Sequence, residues 1–187
     1  EARQREYAWL TGDVRAEDRA TQYGHRAAIV LFTGSAQTGK TFLARRVEAL
    51  LVADSRHAYL LEGENLLQGL DADLSAADPS FAAERVRRYG EVARLLIDTG
   101  LIVVSTSKTF GINYQRMAEM IRTLVQPAPV IAVHMSRAGE EPPPNTDLHF
   151  AGPQDFDAAA RQILEELKRR GVLIQPSGTK STIQYSI

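Results

Sequence analysis

Cysteine is absent from all 187 residues, which removes disulfides, thiolate catalysis and thiol-based zinc sites. Net charge is nearly absent too: 22 Lys and Arg against 23 Asp and Glu leave a formal −1. Such a balance argues against nucleic acid or an anionic membrane surface as the main partner. No apolar run approaches the twenty or so residues that a spanning helix needs, and the opening residues read as a polar leader rather than a secretory signal. Tryptophan occurs once, at Trp9, where packing on the body of the domain is the expected use. The four histidines, His25, His57, His134 and His149, lack metal-ligand spacing and read as surface or packing residues. What is present is ordinary. A hydrophobic fraction of 44% and a charged fraction of 24% fit one cytoplasmic globular domain with a substantial core. The first residue is Glu1 and not methionine, which suggests a part excised from something longer.

The hydrophobic pattern divides the chain into a leader (1–26), a body (27–173) and a tail (174–187). Within the leader, 16–23 reads as partly helical. Within the body, strand-length apolar runs fall at 28–33, 58–61, 101–105, 130–135 and, weakly, 147–150. Segments of helical periodicity separate or follow them at 40–52, 81–99, 114–124 and 155–170. Strands without polar alternation, each followed by a helix, predict an α/β fold: a parallel sheet covered by helices on both faces. Glu140-Glu141-Pro142-Pro143-Pro144-Asn145 reads as a loop. The tail is expected to be an extra edge strand or to lack structure.

The chemistry begins at GSAQTGKT, residues 34–41, which directly follows the first apolar run. Gly34, Gly39, Lys40 and Thr41 satisfy G-x-x-x-x-G-K-[ST]. The glycines let the backbone turn its N–H groups inward, the lysine reaches terminal phosphates, and Thr41 binds Mg²⁺. Gln37, Thr38 and Phe42 complete the candidate nucleotide-binding set, with ATP and Mg²⁺ as the implied cofactors. In open parallel sheets ligands bind at the carboxyl ends of strands. That rule selects Glu62 and Glu64, which follow Ala58-Tyr59-Leu60-Leu61. Either can accept a proton from a hydroxyl or hold Mg²⁺ through water. Asp98 precedes its strand, belongs to the opposite edge and reads as structural.

Three stretches resemble the adenylylsulfate kinase family. YLLEGENLLQGLDADL is similar to that family's Y-L-L-D-G-D-N-x-R-x-G-L-x-x-D-L, and RVRRYGEVARLLIDTGLIVVS to its I-R-R-x-G-E-V-A-x-L-x-x-D-A-G-x-I-V-x-x-S. VRAEDRATQYGHRAAIVLFTG resembles the stretch that introduces the family's phosphate loop. The resemblance runs from about Val14 to Leu173. It implies a P-loop NTPase-type three-layer domain that moves the γ-phosphoryl of ATP to the 3′-hydroxyl of adenylylsulfate. It also implies a cytoplasmic transferase of sulfate assimilation, acting on a nucleotide and a small molecule, either as a homodimer or within a fused sulfate-activating enzyme. Carried over by position, Lys40 and Glu62 are the catalytic residues, Glu62 in place of an aspartate that acts as base or metal ligand. Glu64, Asn65 and Arg87 fall on substrate-side positions, and Lys108 stands at the end of the third strand where it can touch a ligand.

The chain departs from the family pattern in three places. Leu67 replaces an arginine, Gly111 replaces a second one within STSKTFG, and Val133-His134-Met135-Ser136-Arg137 runs almost straight into GEEPPPNTDL, without the family's long lysine-rich lid. Two lost cations and a lost lid weaken the acceptor side of the site. Three readings therefore stay open: an active adenylylsulfate kinase, a kinase for a different and less anionic hydroxyl compound, or a nucleotide-binding domain with a structural or regulatory role in a larger protein.

Overall fold

Five strands, each with a largely apolar run, assemble into one parallel sheet. A computed structural model describes residues 12–106, 114–152 and 155–174. In chain order the elements are α1 (Ala16–Tyr23), β1 (Ala28–Gly34), α2 (Lys40–Ala53), β2 (Ala58–Glu62), a 3₁₀ turn (Gly63–Gln68), α3 (Phe81–Asp98), β3 (Ile102–Thr106), α4 (Tyr114–Val125), β4 (Val130–Ser136), β5 (Leu148–Ala151) and α5 (Phe156–Arg169). The expected strands and helices all form, with ends displaced by a residue or two. The readings on Trp9, Lys108, Gly111 and the tail beyond Ile174 lie outside the described residues.

The strand order is β2-β3-β1-β4-β5 and every neighbouring pair is parallel. β1, β3 and β4 are buried along their whole length, which explains why their sequences show no polar alternation. β1 sends Ala28, Val30 and Phe32 to one face, against Leu43, Val47 and Leu51 of α2 and Ala160, Ile163 and Leu167 of α5. Ile29 and Leu31 point to the other face, against Val86, Tyr89 and Ala93 of α3 and Met117 and Ile121 of α4. β5 is the weakest strand in sequence because it is an edge: Phe150 turns inward while His149 and Ala151 are exposed.

Local chemistry sets the helix ends. The Asp155 side chain accepts from the Asp157 and Ala158 N–H groups at 3.0 and 3.1 Å, and Lys168 and Arg169 lie in the last turn of α5. Both placements complement the helix dipole and its unpaired terminal groups. Most important for the site, the helices that follow β1 and β3 lie on opposite faces of the sheet. That reversal puts the topological switch point between β1 and β3, and ligands of such sheets bind at the carboxyl edge there.

Candidate nucleotide and acceptor site

The phosphate loop leaves the carboxyl end of β1 and feeds the first turn of α2. Gly34 has φ 123°, and a Cβ on it would lie 1.8 Å from the Met135 carbonyl oxygen. Only glycine fits there. Gly39 has φ 87°, and its missing Cβ leaves room for the Phe156 ring, which a Cβ would meet at 2.6 Å. Phe156 also packs on Phe42, with ring centroids 4.8 Å apart. Gln37 likewise holds positive φ, at 62°. The loop is therefore preset by its neighbours, with its backbone at the amino end of α2, where anions are favoured.

Lys40 lies within this turn, half-buried. Its Nζ donates to the Gly34 carbonyl at 3.0 Å and to that of Ser35. Burial lowers its pKa, and the negative charge of Glu64 opposes that shift. Glu64 is thus close enough to the phosphate loop for its charge to reach Lys40. Thr38 Oγ1 donates to the Ser35 carbonyl at 2.9 Å. Thr41, in the first turn of α2, is partly exposed.

At the same carboxyl edge, Glu62 pairs in register with Thr106 of β3. Glu62 Oε1 and Thr106 Oγ1 are both buried and have no hydrogen-bond partner among the described residues. A buried unpartnered carboxylate oxygen is costly unless something binds it. Hard oxygen donors of this kind suit Mg²⁺ or an incoming hydroxyl. Among the described residues no group of three or more acidic or histidine side chains forms a metal cage; Mg²⁺ shared with phosphate oxygens needs only one or two protein ligands. Tyr89 ties the two strand ends together. Its hydroxyl donates to the Leu61 carbonyl at 2.8 Å and lies 2.5 Å from Ser105 Oγ. Burial pushes its pKa well above 10.

The basic residues of α3 are engaged. Arg85 is buried, 3.3 Å from Asp71 and 3.4 Å from the Gly63 carbonyl, with its guanidinium over Phe81. Arg87 faces outward with its side chain 51% exposed, bonded to Glu84 at 2.7 Å. Arg88 is held by Asp73 at 2.5 Å and Glu84 at 2.9 Å. The two arginines bring the Glu84 pKa down to about 2. Of the three guanidiniums, the one brought to the turn after β2 is that of Arg85, not of Arg87, on which the sequence resemblance falls. Glu64 and Asn65 lie in the 3₁₀ turn, and Leu67 beside them is 42% exposed.

Sequence reasoning passed over a group of residues behind the phosphate loop. His134, buried on β4, has Nδ1 3.0 Å from Thr33 Oγ1. The Tyr114 ring packs edge-on against it, with centroids 5.3 Å apart. The Tyr114 hydroxyl donates to the Gly34 carbonyl at 2.6 Å, and Ser35 Oγ donates to Glu140 at 2.6 Å. Burial lowers the His134 pKa. The three hydrogen bonds span 80 to 105 residues of sequence, so no local motif announces them. Beside the loop, a cleft of about 550 Å³ is lined by Gln37, Thr38, Gly39, Arg137, Gly152 and Phe156 among others. A larger cavity of about 720 Å³ lies at the opposite edge of the sheet, between α1, the end of α3 and residues 125–129. It touches none of the residues above, so its size does not make it the site.

A parallel sheet with a G-x-x-x-x-G-K-T loop between its central strand and the next helix defines a P-loop NTPase-type domain of three layers. The adenylylsulphate kinase family model matches residues 26–142, a stretch that holds the phosphate loop, Glu62, Glu64 and all of α3. The chain belongs to that family. An adenylyl-sulfate kinase of Yersinia pestis is 29% identical over 194 residues, covering 88% of this chain and 89% of its own. One from Shewanella amazonensis is 38% identical over 128 residues, 68% of this chain and 63% of that protein. An APS kinase of Mycobacterium tuberculosis superposes with a TM-score of 0.67 at 29% identity, over 77% of this chain and 99% of that one. The 194-residue match draws on 88% of a 187-residue chain, so the Yersinia protein carries residues within it that are missing here. Among the described elements, residues 137–147 alone join β4 to β5. No described helix is long and apolar enough to cross a membrane.

Proposed function

We propose that this chain binds ATP with Mg²⁺ and transfers the γ-phosphoryl to a hydroxyl presented at the carboxyl end of β2, with the 3′-hydroxyl of adenylylsulfate as acceptor. The observation that carries this reading is the meeting, at one sheet edge, of the phosphate loop and Glu62, whose buried Oε1 has no partner among the described residues. The backbone from Gly34 to Thr41, with Gln37, Thr38 and Phe42, cradles the nucleotide, and Lys40 neutralises its terminal phosphates. The cleft lined by Gln37, Arg137 and Phe156 is of a size to take the base. Thr41 and Glu62 would hold Mg²⁺, which when bound offsets charge between phosphate oxygens. Glu62 accepts the proton of the attacking hydroxyl. Glu64, Asn65 and Lys108 orient the acceptor, and Arg85, rather than the outward-facing Arg87, holds the turn that carries the first two.

A second reading has a specific observation behind it. Arg85, Arg87 and Arg88 already sit on carboxylates, and Leu67 offers no charge, which disfavours an acceptor with several negative charges. This favours a less anionic hydroxyl compound, or nucleotide binding without turnover. The discriminating measurement is ADP release with ATP, Mg²⁺ and adenylylsulfate against an acceptor-free control. The expected result is acceptor-dependent ADP, with turnover reduced by at least about a hundredfold in Lys40→Ala. Nucleotide-induced thermal stabilisation without ADP would sink the kinase reading, and turnover with another alcohol alone would replace the acceptor.

A further inference from the structure

Two donors converge on the Gly34 carbonyl, Lys40 Nζ at 3.0 Å and the Tyr114 hydroxyl at 2.6 Å. Lys40 also donates to the Ser35 carbonyl, and that oxygen too has a second donor, Thr38 Oγ1 at 2.9 Å. An ammonium carries three N–H donors, and two of them here serve the backbone of the loop itself. To clamp a terminal phosphate with more than one bond, the lysine must let go of at least one carbonyl. A carbonyl abandoned in a buried turn loses about what a missing hydrogen bond is worth, unless another donor already sits on it.

Tyr114 supplies that donor at Gly34. It opens α4, so its position does not depend on Lys40. Its ring lies edge-on to His134, and His134 is fixed by Thr33. We propose that Tyr114 is a positioning residue for Lys40: its hydroxyl keeps the Gly34 carbonyl satisfied when the ammonium turns to the nucleotide, so the lysine is released from the loop at little cost. Thr38 does the same for Ser35 from within the loop. The inference rests on the nucleotide reading above and is independent of the acceptor.

The test is a double-mutant cycle in ADP affinity, by calorimetric titration of the wild type, Tyr114→Phe, Lys40→Ala and the double variant. Tyr114→Phe keeps the ring and removes the hydroxyl. It should weaken ADP binding about tenfold, while the melting temperature of the nucleotide-free protein changes little, because Lys40 still covers Gly34. In the Lys40→Ala background, where no lysine needs releasing, the same change should cost nothing further. Wild-type affinity in Tyr114→Phe, or an equal loss in both backgrounds, would overturn the inference, as would a collapse of the nucleotide-free melting temperature. If the wild type itself fails to bind ADP, the nucleotide reading falls, and the inference with it.

Discussion

At the scale of single residues, Glu62 carries the most specific expectation. Its Oε1 is buried and has no partner among the described residues, so Glu62→Gln keeps the shape and removes the proposed proton acceptor. That change should lower kcat by about 10²- to 10⁴-fold while leaving ADP affinity within a few-fold, as read by steady-state kinetics beside a binding titration. The phosphate loop itself was legible in the sequence, because all its constraints are local: two glycines in conformations only glycine adopts easily, then the lysine and threonine of the next turn. Tyr114, His134 and Phe156 were not legible. Each reaches the loop from a distant element, and nothing in its own neighbourhood marks it. The arginines of α3 show a subtler gap. Positions 85 and 87 differ by about 200° around a helix, so only one can face the turn after β2, and the alignment of motifs does not say which.

At the scale of elements, α3 is held to the segment that follows β2 by the buried Arg85–Asp71 ion pair, while the pairs of Arg87 are exposed and lie within the helix. Asp71 and Arg85 have side chains 1% and 8% exposed, and Asp71 Oδ1 has no hydrogen-bond partner among the described residues. Removing the cation leaves a buried carboxylate uncompensated, so Arg85→Ala should cost about 3–5 kcal/mol in urea denaturation. The exposed pairs of Arg87 with Glu84 and Glu91 are worth far less, and Arg87→Ala serves as the control. Strand and helix positions followed closely from hydrophobic runs, because buried strands carry no polar alternation and amphipathic helices carry their own period. The order of the strands did not follow. That β3 lies between β1 and β2 is a property of the crossovers, and it is what puts Thr106 beside Glu62.

At the scale of the whole molecule, acid sensitivity should appear in two steps. Burial lowers the folded-state pKa values of His25 and His134. His25 is fixed as the neutral ring, because Nε2 accepts from the His57 N–H at 2.9 Å while Nδ1 faces the Arg26 carbonyl at 3.2 Å. Below about 6.5 the unfolded chain takes up these protons before the folded one does. Stability is therefore full above that pH and falls as pH drops towards the folded values. Glu84 and Glu166, both brought to about 2 by arginines, contribute above their usual range and lose that contribution only at lower pH still. Melting curves between pH 7.5 and 5 at constant ionic strength, about the span of a histidine titration, should fall steadily, with NMR midpoints for His25 and His134 below 6.5. A flat profile would refute the assignment.

The C-terminal helix also bears on where this protein can be cut. The family match stops at residue 142, yet Phe156 forms the floor beneath Gly39, Arg46 of α2 grips Asp157 at 2.5 Å, and Ala160, Ile163 and Leu167 cover one face of β1 and β4. A fragment trimmed to the matched residues would retain the phosphate loop, Glu62, Glu64 and all of α3. It would also expose the hydrophobic underside of its own phosphate loop, so a fragment made to test nucleotide binding should extend through Leu173, the last residue of that core.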